Sequence, residues 1–180
     1  MKKFILIIFI IVGVSQVQAQ EKINWISMNE ALAAQEEVPK KIIMDVYTKW
    51  CGPCKLMDKK TFTNKDVIRF INENYYAVKF NAEGTEEVIY QGFTYTNPNY
   101  QEGRKGRNSQ HFFANALKIT GYPSIVFFKD DGELIQAVTG YRTPEQIEIY
   151  LRMIANDDYL NITTGEDWQE YQDNFQGTFK

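Results

Sequence analysis

"MDVYTKWCGPCKLMDKKTF", residues 44–62, holds both cysteines of the chain, two residues apart and directly behind a tryptophan. Thiols at that spacing serve as half a metal site, a haem anchor, a structural staple or a redox pair. A structural zinc ion takes four ligands, usually a second cysteine pair or two histidines. This chain has two Cys and one His, His111, so it supplies at most three strong N/S ligands. Covalent haem attachment needs His straight after the second Cys, and Lys55 stands there. A staple gains stability with the length of the loop it closes, so two intervening residues gain little. A redox pair fits. The stretch from Ile42 to Tyr47 is apolar apart from Asp45 and reads as a buried strand. Trp50 to Cys54 reads as a turn, and Cys54 to Lys60 as a helix. A sulfur at a helix start faces unpaired N–H groups and the positive end of the helix dipole, and both favour thiolate. Cys51 is then the nucleophile. Cys54, one turn in and less exposed, resolves the mixed disulfide. Pro53 restricts the loop and suits a helix start.

The chain has 180 residues, 44% of them hydrophobic, enough for one packed domain. Residues 1–19 read apart from it. Lys2 and Lys3 precede an apolar run from Phe4 to Val14, then polar residues, then Val17-Gln18-Ala19. This is a secretory signal pattern, too short to span a bilayer, with the cut expected after Ala19. A short membrane anchor is the alternative. The chain after the cut carries 18 Lys/Arg against 23 Asp/Glu, a charge of −5. That balance leaves no electrostatic footprint for nucleic acid. The small basic run Gly103-Arg104-Lys105-Gly106-Arg107 reads as a solvated loop.

Along the domain, residues 20–180, strand and helix signals alternate, as in α/β layering. Ile23–Ile26 reads as an edge strand and Ser27–Glu37 as a capped helix. Thr63 to Asn74 reads as a helix opened by Thr63 or Asn64, and Tyr75 to Phe80 as a strand. Residues 82–108 read as an insertion with a small hairpin in "VIYQGFTY". A helix from Ser109 places Phe112, Phe113, Ala116 and Leu117 on one face. Gly121 to Val138 reads as strand, Asp-Gly turn, strand. Thr143 and Gln146 form a capping box before a stripe of Ile147, Tyr150, Leu151 and Ile154. In the C-terminal extension, residues 156–180, Thr163 and Glu166 read as a second box. Trp168, Tyr171, Phe175 and Phe179 there read as a further core stripe. His111 reads as a surface or capping residue.

The motif Trp50-Cys51-Gly52-Pro53-Cys54-Lys55 is that of the thioredoxin family, which the chain resembles from about Asn24 to Ile154. Asp45 lies six residues before Cys51, where the family carries a buried acid, and Lys79 falls where its partner lysine stands. Tyr122-Pro123-Ser124 resembles the cis-proline segment, and Gly140 matches the glycine after the last strand. Phrases such as "CKLMDKKTFTNKDV" are closer to exported bacterial thioredoxin-like proteins. The insertion and the extension depart from plain thioredoxin.

The resemblance implies an α/β thioredoxin fold with a central mixed sheet flanked by helices. It implies a protein-disulfide reductase working through a Cys51/Cys54 dithiol–disulfide pair, with no metal or organic cofactor. Asp45, its pKa raised by desolvation, would accept the proton of Cys54, with Lys79 limiting the shift. Trp50, Gly52, Pro53, Tyr122 and Pro123 would form the surface that meets substrate. Partners would be protein disulfides and an electron-donor protein, membrane-bound or soluble, since the chain has no flavin or nicotinamide motif. The expected place is the periplasm, with no lasting membrane span after signal cleavage. Two alternatives stay open: a binding scaffold with idle thiols, and a disulfide oxidase or isomerase.

Overall fold

The apolar run from Ile42 to Tyr47 has a partner on each side, and so becomes the middle of a sheet. The computed structural model describes residues 22–180; the signal reading of residues 1–19 lies outside them. The elements run β1 (Trp25–Ile26), α1 (Met28–Glu37), β2 (Ile42–Tyr47), α2 (Gly52–Lys60), α3 (Lys65–Asn74) and β3 (Tyr76–Asn81). Then follow β4 (Val88–Tyr90), β5 (Phe93–Tyr95), α4 (Phe112–Ala116), β6 (Ser124–Phe128), β7 (Leu134–Thr139) and α5 (Pro144–Ala155). A 3-10 turn (Asp158–Asn161) and α6 (Gly165–Asn174) complete the chain.

The main sheet has the order β1-β3-β2-β6-β7. β1 and β2 pair with β3 in parallel, while β2–β6 and β6–β7 are antiparallel. This is the mixed sheet of a thioredoxin fold. Side chains alternate between its faces. Ile43, Ile125 and Phe127 meet Met57, Val67, Ile71, Leu151 and Ile154 on one side. Ile42, Met44, Val46, Val78 and Phe80 meet Met28, Ala31, Val88 and Phe113 on the other. The residue two beyond Ile43 is Asp45, so the same alternation turns it to the side where Met57 of α2 packs. The strand that carries the acid therefore also delivers it beneath the cysteine helix.

The structure corrects some local expectations and decides between the alternatives in others. β1 holds two residues because Trp25 N–H already bonds Ile23 O at 3.0 Å, and Ile23 turns into the core. α2 starts at Gly52, ahead of Cys54, because Cys51 itself caps it. Asn64 opens α3, its Oδ1 accepting from the N–H of Asp66 and of Val67. α4 is a five-residue helix with Phe113 buried and Phe112 43% exposed, so the stripe expected from Ser109 does not form. His111 is a capping residue and not a surface one: it caps α4 and is fully buried. Its Nδ1 accepts from Phe113 N–H, leaving Nε2–H to donate to Glu86 O at 2.7 Å.

Residues 82–108 carry the antiparallel hairpin β4–β5, a sheet of its own. Its Val88 and Tyr90 are buried against Phe113 and Phe128. Its neck is tied: Asn97 Nδ2 donates to Gly84 O and Ser109 O, and His111 N–H to Ala82 O.

The second capping box sits one residue later than expected, on Thr164 and Asp167. Asp167 Oδ2 also accepts from Thr163 N–H, which favours that register. No residue of α6 is buried. Trp168 instead stacks on Tyr150, 5.5 Å between centroids, over a half-covered face. The residue of the expected stripe that reaches the core is Phe179, against Phe70. Glu148 holds it there: the carboxylate accepts from Thr178 N–H, Thr178 Oγ1, Phe179 N–H and Arg152 Nε at 2.8–3.0 Å. No helix among the described residues is long and apolar enough to cross a membrane.

Candidate active site

The cysteines meet where β2 ends and α2 begins. Pro53 in the first turn has no N–H to lose and a φ suited to a helix. Cys51 and Cys54 form a disulfide with 5.3 Å between Cα atoms. Cys54 N–H donates to Cys51 Sγ at 3.1 Å. That amide is one of the unpaired donors of the helix start, aimed at sulfur. In the reduced pair it would stabilise charge on Cys51, as would the helix dipole. The expected difference in exposure is absent, because each cysteine is 2% exposed. With the disulfide closed, both sulfurs are under cover.

Asp45 and Lys79 face each other in the β2–β3 register. Lys79 Nζ donates to Asp45 Oδ2 at 2.6 Å. Asp45 is 2% exposed, and its Oδ1 has no hydrogen-bond partner among the described residues. Burial pushes its pKa up from 3.8 to about 6, against the pull of Lys79. A buried carboxylate with one oxygen unpaired is costly when charged, which gives that direction its physical sense. Burial alone would lower the Lys79 ammonium, but Asp45 and Asp58 outweigh it and hold its pKa up. The rings of Trp25, Tyr47 and Phe62 also surround Nζ at 5.0–5.3 Å.

Tyr122 and Pro123 are joined by a cis peptide bond. No hydrogen bond among the described residues uses the main-chain N–H or C=O of Tyr122. The Tyr122 ring meets Trp50 edge-on, 6.0 Å between centroids. The structure thus gathers Trp50, Cys51, Gly52, Pro53 and Cys54 in one turn, with Tyr122 alongside. Asp45 and Lys79 lie on the strands behind it. Among the described residues no group of three or more His, Cys, Asp or Glu side chains is placed to hold a metal ion.

Three residues of this region were missed in the sequence. Asp58 is the second carboxylate on Lys79. It lies one helical turn past Cys54, and that spacing was the available signal. Glu83 Oε2 accepts from Trp50 Nε1–H at 2.8 Å and from Asn108 N–H at 2.9 Å. Arg107, read as part of a solvated loop, lays its guanidinium 4.4 Å from the centroid of the Trp50 ring. Nothing in the spacing of Glu83 or Arg107 announces either contact, since the folded insertion creates both. With Asn108, Gln110, Thr120, Gly121 and Tyr122, they line a recess of about 420 Å³ beside the cysteine turn. A larger recess of about 590 Å³, between β7, α5 and the extension, includes none of these residues.

Residues 28–155 match the family model of the thioredoxin-like domain. The chain is 27% identical over 134 residues to the thiol:disulfide interchange protein DsbD of Pectobacterium atrosepticum. That match covers 73% of this chain but 19% of the relative, about a fifth of its length. Among solved structures, a thioredoxin-fold protein from Helicobacter pylori superposes with a TM-score of 0.57 at 17% identity, covering 80% of this chain and 93% of its own. A DsbH oxidoreductase gives 0.55 at 16%, over 81% and 92%. A thioredoxin from Thermus thermophilus gives 0.55 at 17%, over 74% and 87%. At such identities the likeness speaks for the fold.

Proposed function

The chain belongs to the thioredoxin-like family, and from that premise we propose that it is an exported thiol–disulfide oxidoreductase that reduces protein disulfides. The observation that carries the proposal is the Cys51–Cys54 disulfide at the start of α2, with the amide of Cys54 on the sulfur of Cys51. In the reduced protein, Cys51 thiolate attacks one sulfur of a substrate disulfide. A Cys51–substrate bond forms, and the other substrate sulfur leaves as thiolate. Cys54 then loses its proton and attacks Cys51 Sγ. The Cys51–Cys54 bond closes and the second substrate sulfur leaves. Two electrons have passed to the substrate, whose thiolates take up two protons. Asp45, with a pKa of about 6, is the proposed acceptor of the Cys54 proton. Lys79 keeps that carboxylate from becoming a permanently protonated acid.

Trp50, Gly52, Pro53, Tyr122 and Pro123 are the proposed contact surface, and the unengaged main chain of Tyr122 is free to pair with an extended substrate. A separate electron-donor protein reopens the disulfide. Residues 1–19 are the proposed export signal, supported by their charge and apolar run, and the periplasm is the proposed destination. The Gly-Pro dipeptide between the cysteines favours the reducing direction over oxidation or isomerisation.

The test is insulin reduction by the wild-type protein and by Cys51→Ser. Turnover in the first and none in the second is expected, with substrates trapped as mixed disulfides on Cys54→Ser. Turnover absent throughout, or untouched by Cys51→Ser, defeats the reading. It would favour a binding scaffold with idle thiols, a role to which the 2% exposure of each cysteine lends some support.

A further inference from the structure

Beyond residue 19 the chain is acidic, 18 Lys/Arg against 23 Asp/Glu. Its basic run from Arg104 to Arg107 nevertheless ends at the rim of the cysteine site, where the guanidinium of Arg107 lies over the Trp50 ring. Arg107 is exposed. Its loop neighbours are engaged: Arg104 donates to Gln101 Oε1, and Asn108 N–H to Glu83. Arg107 itself makes no ion pair within 4.0 Å among the described residues. Glu83, the nearby carboxylate of the recess, already accepts two N–H groups on the same oxygen.

The result is a guanidinium held over an indole, one residue from Cys51, with its donors unspent. Contact with the ring restrains the side chain, so less of its freedom is lost when it pairs. A planar fork of N–H donors matches a carboxylate bidentately. On a protein substrate that carboxylate is Asp or Glu. Arg104 and Lys105 add attraction over a range of about 10 Å at 0.1 M salt, while the acidic body of the domain repels such substrates elsewhere.

We propose that Arg107 is a specificity-determining residue that selects substrate disulfides with an acidic side chain beside the cysteine attacked by Cys51. The proposal rests on the disulfide-exchange reading given above. It extends that reading by assigning the basic loop of the insertion to substrate choice.

The test uses two disulfide peptides, identical except for Glu or Gln next to the attacked cysteine. The reduced protein should favour the Glu peptide about fivefold in kcat/KM at low salt, the scale of one well-aligned exposed ion pair. In Arg107→Gln the ratio should fall to about one. A wild-type ratio of one, or a preference that persists in Arg107→Gln, overturns the proposal. Rates that fall equally on both peptides, with the ratio kept, also overturn it, because Arg107 would then only steady Trp50. The same peptides with serine for cysteine give a second readout, their affinity measured by tryptophan fluorescence. Should neither disulfide be reduced, the exchange reading fails by itself, and affinity decides the role of Arg107. About fivefold tighter binding of the Glu peptide, lost in Arg107→Gln, sustains it, and equal binding ends it.

Discussion

Replacing Asp45 by Asn should stabilise the oxidised protein at neutral pH. The carboxyl is buried, and its pKa rises from 3.8 to about 6 on folding. Between those values the native state holds a proton that the unfolded chain has released. Stability from this group is therefore fully present below the unfolded pKa and is lost as pH rises through about 6. A shift of about two units at 1.36 kcal/mol each corresponds to about 2–3 kcal/mol at pH 7. Asn keeps the shape and a carbonyl acceptor for Lys79 but carries no charge to desolvate. Lys79 is not stranded by the change, because Asp58 still pairs with it. The assay is urea unfolding of both oxidised proteins, followed by tryptophan fluorescence, at about pH 7 and about pH 3.5. Subtracting variant from wild type cancels the other carboxylates. Asp45→Asn should be more stable by about 2–3 kcal/mol at pH 7 and nearly equal at pH 3.5, where Asp45 is protonated in the folded state and mostly so in the unfolded one. An equal difference at both pH values, or none at pH 7, would refute the claim that desolvation governs this acid.

Equilibration of the Cys51–Cys54 pair with glutathione should give a potential near the −270 mV of thioredoxin rather than the −120 mV of DsbA, and a value above about −180 mV excludes a reductase. Glu148→Ala removes the acceptor for Thr178, Phe179 and Arg152. It should cost about 1–3 kcal/mol through the buried Phe179 amide left unpaired and abolish hydrogen-exchange protection at Thr178 and Phe179; protection that survives would show the latch to be idle. Burial lowers the pKa of His111, although its bond to Glu86 O opposes the shift. The folded state therefore resists the proton that the unfolded chain accepts, and the advantage of wild type over His111→Asn should shrink as pH falls from about 7.5 to about 5. An advantage constant over that range would contradict a neutral buried cap.

What could be read beforehand was whatever a short run of residues determines by itself. Ile42–Tyr47 is the strand the apolar run predicts, residue for residue. The Thr143–Gln146 box forms as spaced, with Pro144 in the first turn. Asp45 and Lys79 could be set side by side before any coordinates because the resemblance to the thioredoxin family implies the pair, and the observed β2–β3 register does set them opposite each other. Sequence reading failed where contacts cross the chain. Phe112 and Phe113 are equally apolar, and only the packing of Phe80 and Tyr90 decides that Phe113 goes inside. α6 has the periodicity of a core helix, yet it lies over a face already half-closed by α5, so its aromatics stack at the surface. Asp58 offered a helical spacing that went unused. Glu83 and Arg107 offered none, since their meeting at Trp50 depends on how residues 82–108 return to the sheet.

That return has a consequence for how such a protein can change over time. The segment leaves the sheet at Ala82 and comes back at His111 with its two ends clasped together by Asn97 and the His111–Ala82 bond. Once the ends are clasped, lengthening the chain between them is cheap, about 0.6 kcal/mol for each doubling. Mutation can therefore lengthen, shorten or recharge the outer part of the segment while the clasp keeps Trp50 and the cysteine turn in place. The redox centre and its selectivity are then free to evolve at different rates, one fixed by the sheet and the other carried on a tethered loop.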